Sequence, residues 1–140
     1  MATTTLRETA GPEETEVLGE ELGRRLRKGD LVLLKGELGA GKTTFVRGIA
    51  RGLGSEALVA SPSFQLVRVY PGRIALAHVD LYRLESHSEL ADLGLDELLD
   101  AGAVVVEWGD RIEAPDAAVV VIEHRGGNHR LIRVTRDLPH

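Results

Sequence analysis

The sequence predicts an α/β fold, a mixed β-sheet flanked by helices within a single domain, and three observations predict it. An apolar strand pattern, Leu31 to Leu34, passes through a glycine-rich turn into a helical pattern that sets Phe45, Val46, Ile49, Ala50 and Leu53 on one face. A continuous apolar run, Ala103-Val-Val-Val106, suits a central strand covered on both sides. Two further apolar segments, Ala117 to Ile122 and Leu131 to Val134, are joined through Gly126-Gly127-Asn128, a hairpin turn. The chain has 140 residues, 43% hydrophobic and 28% charged, long enough to bury about two-thirds of its unfolded surface.

The elements follow in order. Thr3, Thr4, Thr5 and Leu6 favour extended structure, so Met1 to Thr9 is expected as a short edge strand. Pro12 at a first helical position, with Glu13 and Glu14 in the first turn, opens a helix. Leu18, Leu22 and Leu26 give it one buried stripe, and Gly29 is the expected stop. The helix after the glycine-rich turn is expected to end at Gly52 and Gly54. Leu58-Val59-Ala60 reads as a short strand. Gln65 to Tyr70 and Ile74 to Leu81 read as a strand pair turning at Pro71-Gly72. Ser86-x-x-Glu89 has the capping-box spacing for a short helix to about Leu93, and Asp96 to Asp100 adds another turn before Gly102.

Composition excludes several functions. No apolar run approaches the roughly 20 residues of a membrane helix, and no signal-peptide pattern opens the chain. There is no cysteine, hence no disulfide framework and no thiolate metal site. A net charge of −5 speaks against stable DNA binding or autonomous RNA binding, which rest on clustered Lys and Arg displacing counterions. Scarce aromatics speak against a base-stacking surface.

The chemistry sits in the turn. Gly36-x-x-x-x-Gly41-Lys42-Thr43 between a strand and a helix is the context of a phosphate-binding loop, and makes the fold class P-loop NTPase-like. Gly36, Gly39 and Gly41 allow backbone conformations closed to other residues, so successive amides can converge on one anion. Residues Glu37, Leu38, Gly39, Ala40, Gly41, Lys42, Thr43 and Thr44 are the expected nucleotide-binding stretch. Lys42 is placed to reach the β- and γ-phosphates of ATP and Thr43 to ligate Mg²⁺.

A phosphate loop needs a carboxylate for the metal and a group that orients water. Asp80 and Glu107 each close an apolar strand, and ligands of open α/β sheets bind beyond such carboxyl ends. Both are candidates for catalysis and for the metal, directly or through water. Ser61 and Ser63 can offer hydroxyls as a switch-like loop does, or simply make a Ser-Pro turn. His78 alternates with Asp80 on one strand face, either orienting that carboxylate or serving as a satisfied core histidine. Thr9, ahead of the first helix, borders the base or is an exposed helix entry. Arg125, Arg130, Arg133 and Arg136 make the last hairpin locally basic, with a solvated face as the default and phosphate, base or partner contact as the other reading.

Taken together, Gly36-Glu-Leu-Gly-Ala-Gly-Lys-Thr-Thr44, Ser61-Pro-Ser-Phe64, His78-Val-Asp-Leu-Tyr-Arg83, the helix ending Asp92-Leu-Gly-Leu95, and Glu107-Trp108 resemble the TsaE (YjeE) family. The likeness runs from about Thr9 to Arg133. It implies a cytoplasmic ATPase that uses ATP and Mg²⁺ and works with a TsaB–TsaD complex in the threonylcarbamoyladenosine modification of tRNA. Such a protein touches tRNA only indirectly and does not perform the transfer. By position, the resemblance assigns phosphate to Lys42, Mg²⁺ to Thr43 and Glu107, and the acidic residue of the second nucleotide motif to Asp80. It packs Trp108 beside the nucleotide and brings Arg130 or Arg133 near it. Ser63 stands where the family usually has Thr, which keeps the hydroxyl, and Gly109 stands for a common Pro.

Two other classes share the loop. A small-molecule kinase needs an acceptor site and usually an arginine-bearing lid, and a hairpin and short helices occupy that stretch. A nucleotide-gated adaptor would remodel a partner by ATP binding alone. A GTPase is disfavoured, because Asn128 is the only asparagine and no Asn-Lys-x-Asp motif exists.

Overall fold

The computed structural model describes residues 2–37, 41–56, 67–80, 94–107 and 117–137. The expected strand at Leu58-Val59-Ala60 and the helix from Ser86 to Leu93 lie outside them. Seven strands form one sheet: β1 (Ala2–Thr9), β2 (Leu31–Gly36), β3 (Val67–Tyr70), β4 (Ala75–Asp80), β5 (Gly102–Glu107), β6 (Ala118–His124) and β7 (Arg130–Asp137). The described helices are α1 (Pro12–Arg25), α2 (Lys42–Gly52) and α3 (Leu95–Ala101). The helix α3 fulfils the turn expected at Asp96 to Asp100.

Strand order is β1-β7-β6-β2-β5-β4-β3. The middle is parallel, with β2 between β5 and β6 and β4 beyond β5. The edges are antiparallel: β3 returns into β4 through Pro71-Gly72, and β6 into β7 through residues 125–129. The first strand, β1, lies along β7 from Ala2 opposite Asp137 to Thr9 opposite Arg130, an edge strand as its threonines suggest. The core strand β5 is buried at every residue, which is why it reads as an unbroken valine run.

Side-chain alternation splits the sheet into two apolar layers. Val32, Leu34, Leu76, Val105, Val120 and Ile122 pack under α1 and α2, with Phe45, Val46 and Ile49 from above. Leu33, Ala77, Val79, Val104 and Val106 face the other way, against Leu95, Leu98 and Leu99 of α3. Each fully buried side chain of this size contributes about 1.5–3 kcal/mol by leaving water. The two-layer burial therefore accounts for the sheet's position.

One helix end differs from expectation. The first helix, α1, stops at Arg25, four residues before Gly29, and Leu26 is already extended at its C-cap although fully buried. The second helix, α2, ends at Gly52 as expected, with Gly54 just beyond it at a φ of 81°, and Gly52 also forms part of the contact with α1. Gly19 and Gly23 of α1 meet Gly48 and Gly52 of α2 with backbone against backbone. A Cβ on Gly19 would strike the Phe45 carbonyl, and one on Gly48 would strike that of Glu16. Gly23 and Gly52 are similarly closed, against the carbonyls of Ile49 and Glu20. Small residues four apart let two helices approach this closely, and the dispersion attraction between the two backbones offsets the glycines' weak helix propensity.

The far ends of these helices are tied by the β3–β4 turn. Arg73 donates from its backbone to the Leu53 carbonyl at 2.6 Å, and from its guanidinium to the carbonyls of Gly23 and Leu26, at 3.3 and 3.0 Å. These are carbonyls at or just past the end of α1, where intrahelical donors run out. The other ends of the strands are thereby left for chemistry.

Candidate functional site

At the carboxyl end of β2 the chain turns and enters α2 through Gly41, whose φ of 104° is in the left-handed region that favours glycine. The helix begins at Lys42, and Phe45 N–H donates to the Gly41 carbonyl at 3.0 Å to close the first turn. Earlier amides of a helix have no acceptor within it. In α1, Glu13 and Glu14 sit in the first turn beside the positive end of the dipole, and Glu14 accepts from the Ala10 N–H just ahead of the helix at 2.6 Å. The second helix, α2, differs. Its N-cap, like that of α1, makes no side-chain hydrogen bond, but its first turn holds no acidic residue and a lysine stands at the positive end of the dipole.

That lysine is drawn back over the loop. Lys42 Nζ donates to the Gly36 carbonyl at 2.8 Å, and the residue is 7% exposed. Burial lowers the ammonium below its ordinary value, and the charges of Glu107 and Asp80 oppose that shift. Register places the two acids: Glu107 is opposite Leu34 on one side and Asp80 on the other, so all three project toward α1 and α2. At about 4.8 Å per strand, Glu107 is one strand from the loop's own strand and Asp80 two. Glu107 thus closes the strand next to the loop's own, and its charge acts on Lys42.

His78 lies on the same face, fully buried, with Nε2 at 3.1 Å from Glu107 Oε2. Spacing along β4 pairs it instead with Asp80, its neighbour on that strand. The structure gives it a contact across the strands, which no spacing within one strand reveals. The signal that could find the pair is parity: His78, Asp80 and Glu107 sit at alternating positions of parallel strands, so the adjacency of β4 and β5 is enough to bring them together.

The remaining candidates divide. Thr43 and Thr44 are half-buried in the first turn of α2, and Glu37 is exposed just past the end of β2. Arg130 lies against the loop: a Cβ on Gly41 would come within 3.9 Å of its Nε, and its Nη1 donates to the Gly127 and His129 carbonyls. Thr9 pairs with Arg130 across β1 and β7, but its hydroxyl is buried and bonded to the Thr15 hydroxyl at 2.8 Å, so it is no exposed helix entry. Arg133, three residues from Arg130 along β7, is on the opposite face of the sheet and exposed, away from the loop. Leu38, Gly39, Ala40, Ser61, Ser63 and Trp108 lie outside the described residues.

A strand–loop–helix unit at the parallel middle of a mixed sheet, with acids closing adjacent strands, defines the class: a P-loop NTPase-like α/β fold. Comparison with known proteins narrows it. Residues 9–133 match the family model described as "Threonylcarbamoyl adenosine biosynthesis protein TsaE", and the chain belongs to the TsaE family. It is 43% identical over 112 residues to the tRNA threonylcarbamoyladenosine biosynthesis protein TsaE of Treponema pallidum, covering 78% of this chain and 83% of that one. To the protein of the same name from Bacillus subtilis it is 41% identical over 132 residues, covering 91% and 82%. Among solved structures, YdiB of Bacillus subtilis superposes with a TM-score of 0.78 at 33% identity, over 97% of this chain and 87% of that one.

Proposed function

We infer that this chain is the ATP-binding and ATP-hydrolysing subunit of the machinery that makes threonylcarbamoyladenosine in tRNA. In this reading it works in the cytoplasm with a TsaB–TsaD complex, contacts tRNA only through those partners, and does not perform the transfer. The observation that carries the nucleotide part is the start of α2: a helix N-terminus without its own acidic cap, holding a buried lysine where the dipole disfavours one. Such an arrangement is compensated by an external polyanion. The names borne by the family and by its relatives support the tRNA part.

The donors near the loop are oxygens, the Thr43 hydroxyl and the carboxylates of Glu107 and Asp80. That set suits Mg²⁺, which takes one or two protein carboxylates and completes its shell with phosphate and water. Bound there, Mg²⁺ would neutralise charge on the β- and γ-phosphates. The chain's own residues do the rest. Backbone amides from Glu37 to Thr44 cradle the phosphates, and Lys42 exchanges its Gly36 carbonyl for phosphate oxygen. The strand-end acids hold the cation side and align water, while the apolar layer under α2 keeps their positions fixed.

Phosphate release from ATP tests this. It should be slow for the chain alone and should rise when TsaB and TsaD are added. Lys42→Ala removes charge-assisted bonds worth about 1.5–3 kcal/mol each, so ATP affinity should fall at least about tenfold and the stimulation should vanish. A rise with a small metabolite, accompanied by a phosphorylated product, would identify a kinase instead. Unaltered ATP affinity in Lys42→Ala would remove the loop from the account.

A further inference from the structure

We propose that His78 is a positioning residue for Glu107. Its Nε2–H holds one carboxylate oxygen and leaves the other directed to the cation beside the phosphate loop. The proposal rests on the nucleotide reading above and adds a residue to it.

Both groups are buried, His78 at 0% and Glu107 at 4% exposure, and 3.1 Å separates Nε2 from Oε2. Among the described residues, Nδ1 of His78 is the buried side-chain polar atom without a hydrogen-bond partner. That asymmetry assigns the tautomer. A proton on Nδ1 would be a buried donor with no acceptor, and a bare Nε2 would turn its lone pair on a carboxylate. A proton on Nε2 satisfies the carboxylate and leaves only a weaker burden, an acceptor without a donor.

The neighbours say what the histidine is for. Leu76, Ala77 and Val79 of the same strand are apolar and equally buried, so packing alone asks for an apolar side chain here. A half-satisfied imidazole in that layer is a cost to the fold. It is offset only if the satisfied half serves something. What it touches is the acid one strand from the loop, whose charge already acts on Lys42. With Oε2 engaged, rotation of the carboxylate is stopped. Outer-shell partners of metal-ligating side chains generally act in this way, and losing one typically costs about ten- to a hundredfold in metal affinity.

Two readouts test it. In the free, full-length chain, nitrogen-15 spectra of the His78 ring should show the proton on Nε2, and that signal should shift in Glu107→Gln. In the ADP complex, Mg²⁺ titrated by calorimetry should bind about ten- to a hundredfold more weakly to His78→Leu, with ADP affinity in EDTA unchanged. His78→Gln, which keeps a donor near the Nε2 position, should recover part of the loss and covers the case in which the leucine variant does not fold. In a Glu107→Gln background, His78→Leu should add nothing further to the Mg²⁺ loss. Equal Mg²⁺ affinity in wild type and both His78 variants, or a ring with no proton on Nε2, overturns the proposal. If the wild-type ADP complex itself ignores Mg²⁺, the nucleotide reading fails, a different result from wild-type dependence that the variants share.

Discussion

Glu107→Gln is expected to bind ATP nearly as wild type does and to lose hydrolysis by at least about a hundredfold, or about 2.7 kcal/mol at 1.36 kcal/mol per tenfold. The substitution keeps the shape of the side chain at the end of β5 and removes its charge. On the proposed reading, phosphate affinity comes chiefly from the amides of the loop and from Lys42, which the change does not touch. The chemical step needs a charge near the cation and an oriented water, and Glu107 is the acid one strand from β2. Removing one preorganised polar group from such a site costs roughly 10²–10³ in rate. Single-turnover phosphate release, with ATP binding measured alongside, separates the two effects. Unchanged turnover would take Glu107 out of the mechanism, and lost ATP binding would make it a binding residue.

The second large effect falls on stability. Gly48→Val should destabilise the fold by about 3 kcal/mol or more, a large part of the 5–15 kcal/mol that holds a typical domain together. In an isolated helix the change would be mildly favourable, since glycine is the worst helix former after proline. Here the first added carbon meets the Glu16 carbonyl, and the facing backbone atoms of α1 belong to a rigid helix that has no side chain to swing aside. The helices must separate, and Phe45, Val46 and Ile49 then lose contact in the layer below. Urea unfolding reads the shift in midpoint. A Gly48→Ala variant as stable as wild type would mean that the two helices are not in backbone contact.

Much of this is legible in the chain. The passage from β2 into α2 can be read because it depends on local order: an apolar strand, glycines and a helical pattern follow one another directly along the chain. The hairpins at Pro71-Gly72 and Gly126-Gly127-Asn128 can be read because turn residues announce themselves. Pro12 with Glu13 and Glu14 marks the start of α1 for the same reason. What is not legible is non-local. Gly52 reads correctly as the end of α2, and only the facing Gly23 shows that it is also a contact point. Gly29 looks like the end of α1, yet the chain leaves the helix earlier to bury Leu26. His78 pairs with Asp80 on paper because spacing reveals neighbours along a strand, whereas its partner lies on the next strand. Arg130 and Arg133 are indistinguishable by composition, and strand parity puts them on opposite faces.

The central claim is that a nucleotide's phosphates occupy the mouth of α2, and a crystal structure of the chain with ADP and Mg²⁺ reads it directly. The expected result has the β-phosphate among the amides of residues 37–44 and within hydrogen-bonding reach of Lys42 Nζ, with the cation beside Thr43 and on the Glu107 side of the loop. Nucleotide bound elsewhere, or Lys42 still donating to the Gly36 carbonyl with phosphate out of reach, would contradict it.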